Sequence, residues 1–371
     1  MSKTLQDYAI LINDTIQSNE INHYITTDNM CQNLGGIDTF KNINIPQGKV
    51  RSFQKDDVLL SNIRLYFRKV YRAKQKGGCS SDVLVFRAKH IDSATLFAIL
   101  SSQIFTDYVC SGSQGSKMPR GNKTHMMDFK IPTINFTIAK IFNSIQNKIE
   151  NNHKINELLH KILELLYEQY FVRFDFLDEN NKPYQTSGGK MKFSKELNRL
   201  IPNDFEVKTL GELTQLKVGN KNANHSSNQG KYPFFTCSNN PLRCETYQFE
   251  GKHIIISGNG NFYVTHYDGK FDAYQRTYVV NPNNPNHYVL IYLFVKSYTN
   301  YLKLQSRGSI IKFITKSDIE NIKIVLPNLK TYAKWNNILK MIENNMQSTQ
   351  TLTALRDFLL PLLLKQQVKP K

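Results

Sequence analysis

The residue types best suited to binding a ligand lie in one loop in the first half of the chain. Its sequence is Ser113-Gln-Gly-Ser-Lys-Met-Pro-Arg-Gly-Asn-Lys-Thr-His125. Glycine lets the backbone approach a phosphate closely, lysine and arginine supply positive charge, and a side-chain amide can pair with the edge of an adenine base. The candidate binding residues of this loop are Gln114, Ser116, Lys117, Arg120, Asn122 and Lys123.

Two further groups of residues have similar chemistry. In the first half of the chain, Arg64 and Arg68 flank a pair of aromatic residues. In the second half, the candidates are Asn259, Asn261, Tyr263, Arg276, Arg307 and Ser309. The alternative for any single lysine or arginine is a solvated surface charge. The alternative for Phe67 and Phe262 is a place in the core rather than stacking on a base.

Motifs for catalysis or metal binding are not found in the sequence. There is no phosphate-binding GxxxxGK[ST] loop, no GxGxxG between a strand and a helix, and no HExxH. The five cysteines include no CxxC pair, so neither zinc nor a disulfide framework is indicated. Asp175, Asp178 and Glu179 form an acidic run that we interpret as solvated charge. We therefore predict no catalytic residue, no metal ligand and no cofactor bound by this chain.

The overall charge points to a polyanionic partner. Lysine and arginine number 48 against 30 acidic residues, which gives a formal net charge of +18. Nucleic acid is the simplest such partner, because each neutralised phosphate releases counterions. The alternative is a generally basic protein from an AT-rich genome. The chain start does not resemble a signal peptide, and the apolar runs are short, so we expect a cytoplasmic protein with reduced thiols and no membrane partner.

A long, degenerate repeat runs through the chain. Five segments recur in the same order at offsets of 193 to 196 residues. The pairs are Val58–Tyr71 with Ile254–Tyr267, Asp82–Phe86 with Arg276–Val280, Leu96–Leu100 with Leu290–Phe294, Gln114–Lys117 with Arg307–Ile310, and Lys130–Pro132 with Val325–Pro327. Because repeats at a fixed period indicate duplicated architecture, we predict two similar domains.

Each copy is followed by a pattern typical of a long helix. Apolar residues alternate at spacings of three and four, which predicts a coiled-coil seam. The first seam is Ile134, Ile138, Ile141, Ile145, Ile149, Ile155, Leu159, Ile162, Leu166 and Tyr170. The second is Leu329, Tyr332, Trp335, Leu339, Ile342, Met346, Leu352, Leu355, Leu359 and Leu362. The alternative is that each helix caps its own domain separately.

These patterns predict an α+β fold class, in which two pseudo-symmetric mixed α/β domains are separated by a pair of long antiparallel helices. The predicted segments are a first domain at 1–132, a central helix at 133–172, a connector at 173–202, a second domain at 203–327, a C-terminal helix at 328–365 and a tail at 366–371.

Several segments resemble the specificity subunits of Type I restriction–modification systems. The central stretch carries the strongest resemblance: Tyr170–Phe176, Glu179–Tyr184, Ser187–Lys190, Glu196–Pro202, Phe205–Val207 and Leu210–Leu213. Leu355–Leu364 with Gln367-Val368 is similar to the distal conserved helix of the family, and Gly115–Gly121 to the loop before its first helix. The first copy has no evident counterpart of Phe205–Leu213 and starts instead at Leu5-Gln-Asp-Tyr8.

The resemblance implies a DNA-recognition subunit without an active site. Each domain would be a target-recognition domain for one half of a split site on double-stranded DNA, and the helices would set the gap between the halves. Two DNA adenine methyltransferase subunits would dock on the helices and hold S-adenosylmethionine. A motor–nuclease restriction subunit would use ATP and Mg.

Three other interpretations remain at this point. The chain is the specificity subunit of a Type IIB-like system, a non-specific nucleic-acid-binding scaffold, or a nuclease or methyltransferase whose site is assembled from scattered residues. Activity of the purified chain alone would favour an enzyme. Equal competition by scrambled DNA would favour a scaffold.

Overall fold

The chain divides into two units. A computed structural model describes residues 3–39, 41–131, 134–227, 229–309, 311–327 and 335–363. Unit 1 contains the chain up to Asn156 and again from Asn344 onward, and unit 2 is Glu157–Glu343. The chain therefore passes between the units at two places.

Unit 1 begins with a short helix and continues through two small sheets into a helical segment. Its elements are α1 (Leu5–Tyr8), β1 (Ala9–Ile12), β2 (Thr15–Gln17), β3 (Tyr24–Ile25), β4 (Lys49–Phe53), β5 (Val58–Ser61), β6 (Val70–Arg72), β7 (Gly77–Cys79), β8 (Val83–Ala88), α2 (Ser93–Leu100), α3 (Gln103–Ser111) and α4 (Lys123–Met127). The long helix α5 (Phe136–Tyr167) follows and continues into unit 2. Its last turn, Glu168–Val172, is π-helical.

Unit 2 has the same general order of elements after a connecting hairpin. Its elements are β9 (Met191–Ser194), β10 (Arg199–Pro202), β11 (Glu206–Thr209), α6 (Leu210–Leu213), β12 (Thr214–Val218), β13 (Tyr232–Phe235), β14 (Leu242–Cys244), β15 (Phe249–Ser257), β16 (Val264–Ala273), β17 (Thr277–Pro282), α7 (Tyr288–Gln305), α8 (Lys316–Glu320) and β18 (Lys323–Leu326). The second long helix, α9 (Trp335–Leu359), starts in unit 2 and ends in unit 1. Short 3₁₀ turns lie at Ser18–Glu20, Leu65–Phe67, Ala223–His225, Pro285–His287 and Leu360–Leu362.

The main sheet of each unit contains an equivalent antiparallel pair of strands, β5 with β8 in unit 1 and β15 with β17 in unit 2. Unit 1 has the strand orders β1-β8-β5-β6 and β2-β4-β7-β3, and unit 2 has β12-β17-β15-β16-β13-β14. Leu59 of β5 lies opposite Val85 of β8, and Ile255 of β15 lies opposite Val279 of β17. The offsets of 196 and 194 residues are those of the sequence repeat. The two similar mixed α/β domains predicted from the sequence are therefore confirmed.

The ungapped alignment of Val58–Tyr71 with Ile254–Tyr267 was wrong beyond the first strand. Leu60 pairs with Val70, and Ile256 pairs with Val264, so the returning strands are offset by 194 residues instead of 196. The turn between β5 and β6 is therefore two residues longer than the turn between β15 and β16. A repeat without a gap cannot show this difference.

The N-terminal segment of unit 1 does have a counterpart in unit 2, contrary to the expectation from the sequence. Leu5 donates its backbone N–H to Phe129 (2.9 Å), and Leu210 donates to Ile322 (2.8 Å). Both α1 and α6 begin with a capping box, formed by Thr4 with Asp7 and by Thr209 with Glu212. Each helix leads directly into an edge strand, β1 or β12, that pairs with β8 or β17. Low identity between the two segments concealed this match.

A buried apolar helix packs on the central sheet of each unit. In unit 1, α2 contacts β5, β6 and β8, and its residues from Thr95 to Leu100 are buried. In unit 2, α7 contacts β16 and β17 through a segment that is buried from Tyr288 to Leu293. Apolar side chains on one helix and one sheet face bury each other, which stabilises each unit.

Segments of α5 and α9 lie antiparallel in each unit. In unit 1, Asn152 donates to Thr349 Oγ1 (3.1 Å) and Asn345 donates to Asn156 Oδ1 (3.0 Å). In unit 2, the Trp335 ring makes an edge contact with Tyr170, at 5.2 Å between ring centroids. The antiparallel helix pair predicted from the sequence is thus present in both units.

The predicted seam is only partly the buried face of these helices. Ile138, Ile145 and Ile149 are buried, but Phe142, which the pattern passed over, is also fully buried. The predicted seam residues that are instead exposed are Ile141, Ile155, Ile162, Met346 and Leu355. Leu329 and Tyr332 lie outside the described residues. The buried residues Ile138, Phe142, Ile145 and Ile149 are spaced four, three and four residues apart, so they share one face of α5, and the pattern selected Ile141 in place of its neighbour Phe142.

The connecting segment after α5 is a folded element. Phe174, Phe176 and Phe205 form an aromatic cluster in which Phe176 stacks on Phe205 at 5.5 Å between centroids. Asp175 accepts hydrogen bonds from the backbone and the hydroxyl of Thr186 (2.8 and 2.7 Å). Asp178 likewise accepts the backbone N–H groups of Asn180 and Lys182 (2.8 and 2.9 Å), so these two carboxylates stabilise turns in this segment. Among the described helices, none combines the length and apolar content needed to cross a bilayer.

Candidate nucleic-acid interface

The loop singled out in the sequence is closed by its own backbone. Gln114 donates its N–H to Arg120 (2.9 Å), and Arg120 donates back to Gln114 (2.8 Å). Gly115 has φ of +100°, a left-handed conformation that favours glycine. These two hydrogen bonds therefore close residues 114–120, which we call the first loop, into a small ring.

Unit 2 contains the same ring. Arg307 donates to Phe313 (3.0 Å), Phe313 donates back to Arg307 (2.8 Å), and Gly308 has φ of +97°. We call residues 307–313 the second loop; all of them except residue 310 are described. Its ends and its glycine lie 193 residues after those of the first loop, so the repeat extends to individual backbone hydrogen bonds.

Each loop is attached to the neighbouring hairpin turn by two backbone hydrogen bonds. We call residues 62–69 the first turn and residues 258–263 the second turn. In unit 1, Gly121 donates to Asn62 (3.1 Å) and Arg64 donates to Pro119 (2.9 Å). In unit 2, the equivalent bonds run from Ile314 to Gly258 (2.9 Å) and from Gly260 to Lys312 (2.8 Å). Each unit thus presents one loop and one turn as a single surface.

One arginine in each loop is exposed and paired with a carboxylate. Arg120 is 61% exposed, with its Nη2 at 3.0 Å from Asp82 Oδ1. Arg307 is 63% exposed, with its Nη2 at 3.2 Å from Asp318 Oδ1. Partial burial favours the neutral form of Asp318, but hydrogen bonds from Thr315 and the charge of Arg307 lower its pKa below the usual value. The carboxylates hold the guanidinium groups in place while leaving donors free toward solvent.

The other candidates of the first loop differ in how free they are. The side chains of Gln114, Ser116, Lys117 and Lys123 are exposed. Asn122 caps helix α4, because its Oδ1 accepts the backbone N–H of His125 (3.1 Å). Thr315 occupies the equivalent capping position at α8. The Asn122 side-chain oxygen is therefore occupied by the helix cap, which leaves the amide N–H groups of this side chain available to a ligand.

The two arginines of the first turn have different environments. Arg64 has φ of +49°, and its Nη2 donates to the Lys117 carbonyl of the first loop (3.4 Å). Arg68 donates from Nη2 to the Ser101 carbonyl at the end of α2 (2.8 Å). Burial lowers the pKa of Arg68. Arg64 therefore belongs to the loop surface, while Arg68 connects the turn to the body of unit 1.

The second turn carries amides and a phenol. Asn261 donates from Nδ2 to Tyr263 Oη (3.0 Å), and both side chains are exposed. The Asn259 side-chain oxygen is buried and has no hydrogen-bond partner among the described residues. The turn is anchored by Phe262, which is fully buried and has φ of +52°. Phe262 is thus a core residue.

Arg276 and Ser309 complete the predicted set in unit 2, and both are exposed. The Arg276 backbone carbonyl accepts the N–H of Gly258 (2.7 Å), which brings this residue next to the second turn. An open groove of about 520 Å³ adjoins the turn. Its lining includes Asn239, Asn261, Tyr263, Lys296 and Lys303.

Several residues of these surfaces were not among the candidate binding residues. Tyr66, noted in the sequence only as one of the aromatic pair flanked by Arg64 and Arg68, is 53% exposed at the tip of the first turn, with its ring against Phe67 at 4.7 Å between centroids. The Asn62 side-chain oxygen is buried without a described partner. Asn239 and Lys303 come from segments that the repeat did not mark. Tyr66 lies between the two predicted arginines, so its position in the sequence was a usable signal.

Comparison with known proteins gives a consistent picture. The sequence profile of the Type I restriction modification DNA specificity domain matches residues 202–355. The Type I restriction enzyme EcoDI specificity subunit of Escherichia coli is 38% identical over 133 residues, which is 34% of this chain and 29% of that subunit. This match therefore spans less than a third of the length of the E. coli relative.

Two other proteins match over much more of the chain. The Type I restriction enzyme MjaIX specificity subunit of Methanocaldococcus jannaschii is 24% identical over 303 residues, which cover 73% of this chain and 68% of that subunit. The crystal structure of the S subunit of a Type I restriction–modification system from M. genitalium covers 99% of this chain and 96% of its own, with a TM-score of 0.63 and 16% identity. That last likeness concerns the fold.

Proposed function

Because the chain belongs to the family of Type I restriction–modification specificity subunits, we propose that it recognises a split target on double-stranded DNA through its two units and contributes no catalytic group. One observation carries this proposal: each unit presents a ring-shaped loop fixed to a hairpin turn by the same two backbone hydrogen bonds. Exposed cations and amides lie on both surfaces. A repeated surface with this chemistry suits two separate DNA contacts.

The proposed division of labour follows from side-chain chemistry. Lys117 and Lys123 neutralise phosphates and fix the register of the protein on the duplex. Gln114 and Asn261 carry amides that pair in two places with adenine in the major groove, and Arg120 and Arg307 can pair with guanine in the same way. The net charge of +18 favours association with DNA at any sequence, so edge contacts must supply the specificity.

Two weak half-sites on one chain give a strong combined site. Once one unit is bound, the other meets its half-site at a high effective concentration, and the two affinities multiply. We further propose that α5 and α9 set the number of base pairs between the half-sites. Both passages of the chain between units lie inside these helices, which supports this role.

The proposed partners are two DNA adenine methyltransferase subunits, which hold S-adenosylmethionine, and a motor–nuclease subunit, which uses ATP and Mg. Exposed apolar side chains on the long helices support docking there, because contiguous exposed apolar surface often marks a protein–protein interface. Those on α5 are Phe136, Ile141, Ile155, Leu158, Ile162 and Leu165, and those on α9 are Met341, Met346, Leu355 and Phe358. We place the assembly in the cytoplasm.

Selection from a random duplex library by the purified full chain tests the proposal. We expect enrichment of one motif with two short specified halves and an unspecified gap of constant length. Scrambled duplexes should then compete at least tenfold more weakly than the selected site at physiological salt. Equal competition would indicate a non-specific scaffold, and methyl transfer or cleavage by the chain alone would indicate an enzyme.

A further inference from the structure

Three metal-ligating side chains that are distant in sequence meet at the edge of the unit 2 sheet. His225 ends the short 3₁₀ turn Ala223–His225, Cys244 ends β14, and Asp272 lies near the end of β16. The ligand atoms of all three lie within 4.8 Å of one another. His225 Nε2 is 3.5 Å from Asp272 Oδ2. The spacing of these residues along the chain concealed the cluster.

The Asp272 carboxylate is fully buried, so its charge needs compensation. Its Oδ2 accepts the Thr246 hydroxyl (2.7 Å), and its Oδ1 accepts the N–H of Ala273 (3.2 Å). Both of these donors are neutral. Within the described part of the chain, the group at ion-pair distance is His225, whose Nε2 is also 2.8 Å from Thr246 Oγ1. A cation at this point would satisfy the carboxylate more completely.

We propose that His225, Cys244 and Asp272 bind one zinc ion, with a water molecule as the fourth ligand. The 3.5 Å between His225 and Asp272 is close to the ~3.4 Å expected between two ligand atoms of a tetrahedral zinc ion. A thiolate and an imidazole favour zinc over magnesium or calcium, which prefer oxygen ligands. Zinc with one thiolate, one carboxylate and a neutral imidazole has no net charge, which suits a buried site.

Binding requires two local changes. The Cys244 Sγ lies 3.2 Å from the Thr246 carbonyl oxygen and must leave this hydrogen bond and release its proton to bind the ion as a thiolate. The Thr246 hydroxyl, which now lies between His225 and Asp272, must turn so that both groups can face the ion.

The ion would join three separate segments of unit 2. The segment around His225 reaches β14 through the hydrogen bond from Ser227 to the Arg243 carbonyl (2.8 Å). Strand β14 pairs only with β13 among the described strands, at the edge of the sheet. A zinc bridge would connect this edge strand to the buried end of β16, where Asp272 lies, and would stabilise the edge of the sheet.

Metal titration of the purified full chain tests the proposal, with cobalt(II) as a spectroscopic probe for zinc. We expect saturation at about one equivalent, with the thiolate-to-cobalt charge-transfer band and tetrahedral ligand-field bands, both abolished by added zinc. C244S should remove the charge-transfer band. C237S is the matched control, because Cys237 is also in unit 2 but outside the cluster, and it should leave the spectrum unchanged.

A second measurement separates metal loss from misfolding. Chelation should lower the thermal unfolding midpoint of the wild-type chain and of C237S, and leave that of C244S unaffected. The proposal is overturned if the wild-type chain shows no saturable thiolate–cobalt band, or if C244S and C237S behave alike. None of these readouts depends on DNA binding, so the result is independent of the proposed function.

Discussion

At the scale of single residues, each candidate interface contains an ion-paired, exposed arginine, and the sequence did not reveal the pairing. Arg120 and Arg307 are both exposed and both paired with a carboxylate, from Asp82 and Asp318. The residue types in the sequence were sufficient to select the first loop as a candidate DNA-binding segment. It did not predict that Arg68 donates to the Ser101 carbonyl, because this contact joins residues 33 positions apart in the sequence.

Replacing Arg120 with alanine should weaken binding to the first half-site only. Loss of one arginine contact to a phosphate or a base costs about 1–3 kcal/mol, so we expect the Kd to rise roughly tenfold. The measurement is a binding titration with duplexes in which one or the other half-site is scrambled. Arg307→Ala is the matched control and should affect the second half-site. Equal losses at both half-sites for either variant would contradict the assignment.

The environment of His266 predicts a pH-dependent stability of unit 2. Burial, together with the nearby cations of His160, Lys252 and Lys296, lowers the pKa of His266 to about 4. Its Nδ1 is 3.6 Å from Glu343 and has no hydrogen bond among the described residues. Because the folded pKa lies below the unfolded value, the unfolded chain takes up the proton first. The contribution of neutral His266 to the free energy of unfolding is therefore fully present above about pH 6.5 and is lost as the pH drops toward 4.

His266→Gln should remove much of this dependence. Protonation of His266 should lower the free energy of unfolding of the wild-type chain by about 2 kcal/mol between pH 7 and pH 5. The variant lacks this group, so its free energy of unfolding should fall about 2 kcal/mol less over the same interval. Urea unfolding at the two pH values measures the difference. His153→Gln, at an exposed position of α5, should behave as the wild type does. A wild-type-like pH response in His266→Gln would rule out this origin.

At the scale of elements, the sequence predicted the long helices and their antiparallel pairing but not their contact face. α5 carries isoleucines on several faces, so the apolar pattern alone selected positions such as Ile141 that are exposed. Part of the contact in unit 1 is polar and therefore invisible to a hydrophobic pattern. Buried Arg356 donates to Gln146 Oε1 (3.2 Å) and to the Asn33 carbonyl (3.3 Å), and Gln146 is itself buried.

Replacing Arg356 with alanine should destabilise unit 1 by about 3 kcal/mol. Arg356 is 2% exposed, and its loss leaves the buried Gln146 Oε1 and the partly buried hydrogen bond to the Asn33 carbonyl without this donor. Chemical unfolding followed by a probe in unit 1 measures this effect. Gln350→Ala, an exposed change on the same helix, should alter stability by less than about 0.5 kcal/mol. Similar shifts for both variants would show that the polar contact contributes little.

At the scale of the whole molecule, the sequence revealed the duplication through its order and offset. It missed the two residues added to the first turn and the equivalence of α1 with α6. Both features are visible only in backbone strand pairing and helix capping, which many different sequences can satisfy. The closed loops were partly predictable, because Gly115 and Gly308 occupy positions with positive φ that only a few residue types adopt readily.

Lengthening both long helices should widen the gap in the recognised site. Four helix-forming residues inserted after Asn156 and four before Asn344 add about 6 Å to each helix, which equals about two base pairs of DNA. Library selection with the variant measures the gap. The same four residues inserted between Asn180 and Asn181, in an exposed turn, should leave the gap unchanged. If the gap stays constant when the helices are lengthened, they do not set it.

Mapping methylated adenines across the host genome, with and without this gene, tests the central claim that each unit recognises one half of a split site. We expect methylation that depends on the gene at a single motif, with two specified halves and a gap of constant length. In a strain carrying Arg120→Ala, methylation should decline and the first half should tolerate mismatches while the second half stays intact. Methylation that is independent of the gene, or confined to one uninterrupted motif, would contradict the account.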